Sequence, residues 1–200
     1  MFYWIFLVGY FLGAVPFGFI IAKAKGIDIL NTGSGSPGAT NVKRTLGTKW
    51  GGLVFLLDFL KGLLPVLISK MYFRPYPNLA NNVSALLLVG LILGHSYSIF
   101  LRFHGGKGVA TAMGGLSILM PSATFLGVIL WYSVFSITRF VSLASIGFAL
   151  FLPLNAYLFA YRREIIELAF FIMIIVLLRH LPNIQRLWKG TENRFDRKSK

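Results

Sequence analysis

The sequence predicts an all-α membrane bundle of about seven spans, and three observations carry that expectation. Hydrophobic residues make up 56% of the 200, against only 20 Lys and Arg and 6 Asp and Glu, which is too apolar for a globule with a polar surface. The apolar residues fall into runs near the ~20 residues needed to cross a ~30 Å hydrocarbon core. The cations stand in the short breaks between those runs. That is the pattern of membrane loops rather than of a soluble basic domain, so no nucleic-acid partner is expected.

The first run, Phe2 to Ala22, follows no positive charge and is about twice the length of a signal-peptide core, so it reads as a retained first helix. Trp50 to Phe73, Val83 to Leu101, Val141 to Ala160 and Glu164 to Leu178 are further spans. Residues 108–138 are too long for one span and short for two, and Pro121 near their middle breaks or kinks a helix. Charge bias arbitrates. With the N-terminus outside and two crossings in 108–138, fifteen of the twenty cations fall inside and four (Lys70, Arg74, Arg162 and Arg163) outside, with Lys61 in a span. A single crossing would put the basic tail outside, so the positive-inside rule favours seven spans, the fourth and fifth short, with a cytoplasmic C-terminus. No internal repeat stands out, and residues 1–200 read as one domain. The absence of Cys excludes disulfides, thiolate metal sites and a Cys nucleophile.

Three polar clusters then fall on the cytoplasmic face. In "GSGSPGATNVKRTLG", Gly33, Gly35 and Gly38 allow backbone conformations in which successive N–H groups curl around an anion. Ser34, Ser36, Thr40 and Asn41 add side-chain donors, a helix starting near Ala39 would aim its positive dipole end at the same place, and Lys43 and Arg44 follow with full charges. The segment is not a P-loop, since Ala39 stands where the motif needs Lys. Taken alone, an ordinary flexible loop explains it equally well.

The second cluster, "GHSYSIFLRFHGGKGVATAMGG", repeats the chemistry with Gly105, Gly106 and Gly108 around Lys107. Headgroup snorkelling by Arg102 and Lys107 is the plainer alternative, but two such clusters on one face make coincidence a poorer account. In the third, "RHLPNIQRLWKGTENRF", His180, Asn183 and Arg186 recur at spacings of three and would share a helical face, although Pro182 interrupts the pattern. For Lys189, Arg194, Arg197, Lys198 and Lys200 an amphipathic tail lying on anionic lipid is preferred.

Asp58 and Lys61 stand three apart within a span and are expected to pair facing the bundle interior, a structural role. His95 would be the histidine of an H-x-x-x-x-D acyltransferase motif, but position 100 is Phe100, so the motif is absent. It remains open between a substrate contact or base and a helix-packing hydrogen bond. Ser142, beside Arg139 in "TRFVSLAS", marks a further cytoplasmic corner.

Taken in order, the three clusters resemble the cytoplasmic motifs of the bacterial acyl-phosphate-dependent glycerol-3-phosphate acyltransferases. So do the flanks "YFLGAVPFG", "LLDFLKGLLPV" and "TRFVSLASI". Ser36 departs from the Asn usual in that family, and Ser98 from a common Pro. The resemblance implies an enzyme of the cell (inner) membrane. It would transfer a fatty acyl group from acyl phosphate to the 1-hydroxyl of sn-glycerol 3-phosphate, giving lysophosphatidic acid and phosphate, with no cofactor or metal. It further implies catalytic roles for Ser34, Arg44, Lys107, His180 and Asn183. Substrate binding falls to Gly33, Gly35, Ser36, Gly38, Thr40, Asn41, Lys43, His95, Gly105, Gly106, Gly108, Thr111, Ser142, Arg186 and Glu192. By the same analogy the first cradle holds one phosphate and the second that of glycerol 3-phosphate. His95, His180 and a substrate phosphate oxygen all stand as proton acceptors. An organic-phosphate or lysolipid transporter is the rival reading, disfavoured because such proteins usually show related halves and midplane sites.

Overall fold

The computed structural model describes residues 3–195, and those residues are helical with no strand among them. In chain order the helices are α1 (Tyr3–Ala14), α2 (Phe17–Ala24), α3 (Ala39–Leu46), α4 (Thr48–Tyr72), α5 (Pro77–Ser96), α6 (Val109–Leu119), α7 (Pro121–Thr138), α8 (Val141–Leu158), α9 (Arg163–Arg179) and α10 (Leu181–Trp188), with a short 3-10 turn at Ile99–Leu101. The helices fall into two compact units, Met1–Leu119 and Met120–Lys200.

Among the described residues each predicted apolar run is occupied mainly by helix, and the run over 108–138 divides at Met120, where Pro121 opens α7. Pro at a first helical position loses no hydrogen bond, because that N–H has no partner within the helix anyway. Five stretches, Tyr3–Ala24, Thr48–Tyr72, Pro77–Leu101, Pro121–Thr138 and Val141–Leu158, are long and apolar enough to cross a membrane. A sixth arises if Arg163–Arg179 and Leu181–Trp188, bent by 59°, form one span. The short fourth span expected falls on α6, and the fifth on α7, whose 18 residues are long enough to cross. α6 has 11 residues, which at 1.5 Å each gives about 17 Å, short of the hydrocarbon core.

In the first unit the leading span is broken at Val15–Pro16. A break inside a bilayer strands backbone carbonyls that no water can satisfy. Here Ser98 Oγ donates to the Ala14 carbonyl at 2.6 Å, and Lys61 Nζ to that of Val15 at 3.0 Å. α1 lies tightly along α5 through small residues: a Cβ on Gly9 or Gly13 would strike the backbone of Leu87 or Leu91. Below the first polar loop, Ala22, Ile29, Val42 and Val54 form a fully buried cluster that ties α2, α3 and α4 together. In the second unit α7, α8 and α9 pack in sequence, with Trp131 Nε1 donating to Ser145 Oγ at 3.1 Å and Asn155 Nδ2 to the Ala123 carbonyl at 3.2 Å.

Pro182 does not interrupt the third cluster, because it sits in the first turn of α10. Arg197, Lys198 and Lys200 of the basic tail lie outside the described residues.

Candidate active site

The first polar loop is organised around one side chain. Asn41, in the first turn of α3, is 1% exposed. Its Oδ1 accepts from the Ser34 N–H at 2.9 Å, and its Nδ2 donates to the Thr32 and Ser36 carbonyls at 2.9 Å and to that of Ile29 at 3.3 Å. Sequence reasoning offered this amide to a substrate; the structure engages it with the loop's own backbone. The backbone must pass close over it, and Gly33 makes that passage with φ +64°, where an added Cβ would collide with Asn41 Oδ1. Ser36 is turned inward as well, its Oγ accepting from the Gly38 N–H at 3.2 Å. Gly35 also has a positive φ, and Gly38 caps α3, which begins at Ala39 as expected. Ser34, Lys43 and Arg44 remain exposed around this frame, with Thr40 half-buried.

The second loop is held against the end of α5. The Gly106 N–H donates to the His95 carbonyl at 3.0 Å, and Gly105, Gly106 and Gly108 are all buried while Lys107 is half-buried. A Cβ at Gly106 would run into Nε2 of the His95 ring, so only glycine lets the chain lie there. On its other side the ring presents Nδ1 to Asp58 Oδ1 at 3.6 Å and to Thr111 Oγ1 at 3.5 Å. Thr111 donates in turn to the Asp58 carbonyl at 3.0 Å. Asp58 is paired with Lys61 at 2.7 Å. The expected Asp58–Lys61 pair is therefore present but extends to a third member. The carboxylate partner that His95 lacks at position 100 arrives instead from α4. A buried charge in one span and a histidine in the next were the available signals, but neither reveals which helix faces meet.

The two loops meet at one pocket. Its wall includes Val15 and Pro16 from the helix break, Pro37 from the first loop, Gly105 and Gly106 from the second, and Asp58, Lys61 and His95. The glycine-rich clusters are thus neighbours within a single unit.

In the second unit Ser142, Asn183 and Arg186 gather around Glu192, whose side chain is 3% exposed. Its Oε1 accepts from Asn183 Nδ2 at 2.7 Å and from Ser142 Oγ at 2.8 Å, and its Oε2 from Arg186 Nε at 2.8 Å. Burial alone would raise the Glu192 carboxyl. The hydrogen bonds from Asn183, Ser142 and Arg186, with the Arg186 charge, outweigh that and hold it below the usual carboxylate range. A carboxylate facing an anionic substrate would repel it; one held by three donors serves to place Ser142, Asn183 and Arg186. His180 is buried at the α9–α10 bend, with Nδ1 2.8 Å from the Val176 carbonyl. A carbonyl only accepts, so Nδ1 carries the proton and Nε2 is the basic nitrogen of the neutral ring. Among the described residues no three His, Cys, Asp or Glu side chains come together as a metal site.

Fold and site define an integral-membrane helical protein with polar, cation-bearing loops set at helix ends. The chain belongs to the glycerol-3-phosphate acyltransferase family, whose model matches residues 3–190. A glycerol-3-phosphate acyltransferase of Aquifex aeolicus (strain VF5) is 42% identical over 193 residues, covering 96% of this chain and 98% of the relative. One from Geobacter sulfurreducens is 42% identical over 188 residues, covering 94% of each. Two solved structures superpose closely, both of PlsY (YgiH), an integral membrane glycerol 3-phosphate acyltransferase. Its glycerol 3-phosphate form gives a TM-score of 0.90 at 40% identity, covering 98% of this chain and 96% of that one. Its lysophosphatidic acid form gives 0.87 at 39%, covering 98% and 95%.

Proposed function

We propose that the chain transfers a fatty acyl group from acyl phosphate to the 1-hydroxyl of sn-glycerol 3-phosphate, releasing lysophosphatidic acid and orthophosphate, as the first acylation of phospholipid synthesis. The observation that carries this reading is the shared pocket, to which both glycine-bearing loops contribute wall residues. The family's acceptor is a phosphate monoester and the proposed donor is an acyl phosphate. Each phosphate brings about −1.5 to −2 charge near neutrality, so two cradles and several cations suit the pair. The exposed Arg44 and Lys43 with Ser34 serve one phosphate, and Lys107 with Gly105–Gly108 the other, assigned to glycerol 3-phosphate.

Acyl phosphate is an activated mixed anhydride, so a direct transfer suffices. The hydroxyl oxygen attacks the acyl carbonyl, the bond from carbonyl carbon to phosphate oxygen breaks, and the hydroxyl proton leaves to a basic site. His95, His180 and a substrate phosphate oxygen are the three acceptors in play. His180 and Asn183, held by the Val176 carbonyl and Glu192, orient the reacting groups. Rate enhancement then comes mainly from proximity and stabilisation of the developing oxyanion, each worth several kcal/mol. In this reading residues 1–200 are a single integral-membrane acyltransferase domain. It lies in the cell inner membrane with seven crossings, the short α6 taken as the fourth and the bent α9–α10 pair as the seventh. The N-terminus is outside and the site on the cytoplasmic face, where the acyl chain enters from the inner leaflet.

The test is purified protein in detergent with glycerol 3-phosphate and synthetic acyl phosphate, following orthophosphate, with an acyl thioester as the control donor. Phosphate release that requires both substrates, and falls at least about tenfold in Arg44→Ala and Lys107→Ala, is the expected result. Turnover with the thioester alone would reassign the donor. Movement of glycerol 3-phosphate into sealed vesicles without acyl transfer would establish the transporter instead.

A further inference from the structure

Asp58 is one of only two acidic residues in the first 119, and it is buried between two apolar helices. A carboxylate in such a place is retained where it is paired. Its Oδ1 lies 2.7 Å from Lys61 Nζ and 3.6 Å from His95 Nδ1. Lys61 is fully occupied by this arrangement, since it also donates to the Val15 carbonyl and lies 5.5 Å from the centroid of the Phe17 ring. The His95 ring is boxed. Asp58 and Thr111 stand on its Nδ1 side, and the Gly106 backbone lies against Nε2. Its own carbonyl takes the Gly106 N–H. A ring held at both nitrogens in this way sets where the glycine loop runs.

We propose that Asp58 is a positioning residue for acyl transfer: with Lys61 it fixes the His95 ring, and the ring fixes the Gly105–Gly108 backbone in the conformation that receives a phosphate. This rests on the function proposed above and adds to it a residue that touches no substrate. A purely structural pair would cap the broken first span and do nothing more. The two roles separate kinetically: a smaller folded fraction lowers apparent kcat and leaves both KM values alone, whereas a displaced cradle raises the KM of the substrate it holds.

The experiment uses the full chain in detergent. The paired variant Asp58→Asn with Lys61→Met removes both charges together and leaves no lone buried ion. Asp58→Glu keeps the ion pair, and with it the fold, but advances the carboxylate toward the ring. Either is expected to raise the KM for glycerol 3-phosphate about tenfold, the effect of one misaligned charge-assisted contact, with the KM for acyl phosphate within about twofold. Because Asp58 acts through the ring, adding His95→Gln to the paired variant should give no more than the loss of His95→Gln alone. Unchanged KM values with only kcat reduced, or losses that multiply in the triple variant, would overturn the proposal. If the wild-type chain releases no orthophosphate, the donor reading fails by itself. The positioning claim is then judged by calorimetric binding of glycerol 3-phosphate, where about tenfold weaker binding is expected and equal affinity would defeat it.

Discussion

Lys61 Nζ lies 3.0 Å from the carbonyl oxygen of Val15, the residue before the proline that breaks the first span. One ammonium thus satisfies a stranded backbone carbonyl and neutralises Asp58, 2.7 Å away. This explains why a chain so poor in acidic residues keeps two opposite charges inside an apolar helix. The break needs a donor, and the donor needs a counter-charge.

Removing one partner should therefore cost far more than removing both. Asp58→Ala leaves the Lys61 charge buried and uncompensated, and thermal unfolding in detergent is expected to show a loss of about 3–5 kcal/mol. Asp58→Leu with Lys61→Met should lose clearly less, the stranded Val15 carbonyl being the main remaining cost.

Asn41 joins its loop by four hydrogen bonds, to Ser34, Thr32, Ser36 and Ile29. Asn41→Ala removes them and leaves buried carbonyls short of a donor, an expected loss of about 2–4 kcal/mol. Limited proteolysis, with new cleavage inside residues 31–38, locates the effect in the loop. Asn41→Asp keeps the acceptor but loses the three donations, and should fall close to Asn41→Ala.

Two glycine substitutions should move in opposite directions. Gly33→Ala places a Cβ against Asn41 in a left-handed backbone and should destabilise by about 2–4 kcal/mol. At Gly52 a Cβ meets nothing within 4 Å and the residue lies inside α4, so Gly52→Ala should be neutral or stabilise by up to about 1 kcal/mol. Unfolding midpoints of the two variants check both signs.

Glu192 carries a pH signature. Its native carboxyl sits below the ordinary value of 4.5, so between the two values the unfolded chain binds more protons than the native one. The stability this group adds is complete above about pH 4.5 and disappears as pH falls through the lower native value. Unfolding of wild type compared at about pH 6 and about pH 4 should show this loss, and Glu192→Gln should lack that part of it. At neutral pH Glu192→Gln weakens the hold on Arg186, Asn183 and Ser142, and kcat/KM should fall by roughly ten- to a hundredfold. The fall should be the same from about pH 6 to about pH 8, because the carboxylate is ionised throughout.

Much of this molecule is readable without coordinates. Spans are decided by length and hydropathy, which are local properties, and the helices appear where the apolar runs stand. α3 begins at Ala39 because a glycine-rich loop gives way there to residues that tolerate helix. The cradles are visible for the same reason, since Gly and Ser beside cations act over a few neighbouring positions. Less legible was the break at Val15–Pro16. Pro16 is plain in the sequence, but a proline in an apolar run marks a kink, a break or a tolerated bend alike until the donors that receive its carbonyls are known.

By itself the amino-acid sequence determined an all-helical membrane chain and the location of its polar loops, because both follow from composition and order along the chain, and its three ordered motifs carried the resemblance to the family. Tertiary structure alone decided that Asp58 meets His95, that Asn41 serves its own loop, and that Glu192 gathers Ser142, Asn183 and Arg186. Those pairings depend on how each helix is rotated about its axis and how closely small residues let it approach its neighbour. Apolar periodicity in a membrane helix leaves that rotation undetermined, since lipid and protein interior are alike in polarity and only packing and polar contacts distinguish the faces.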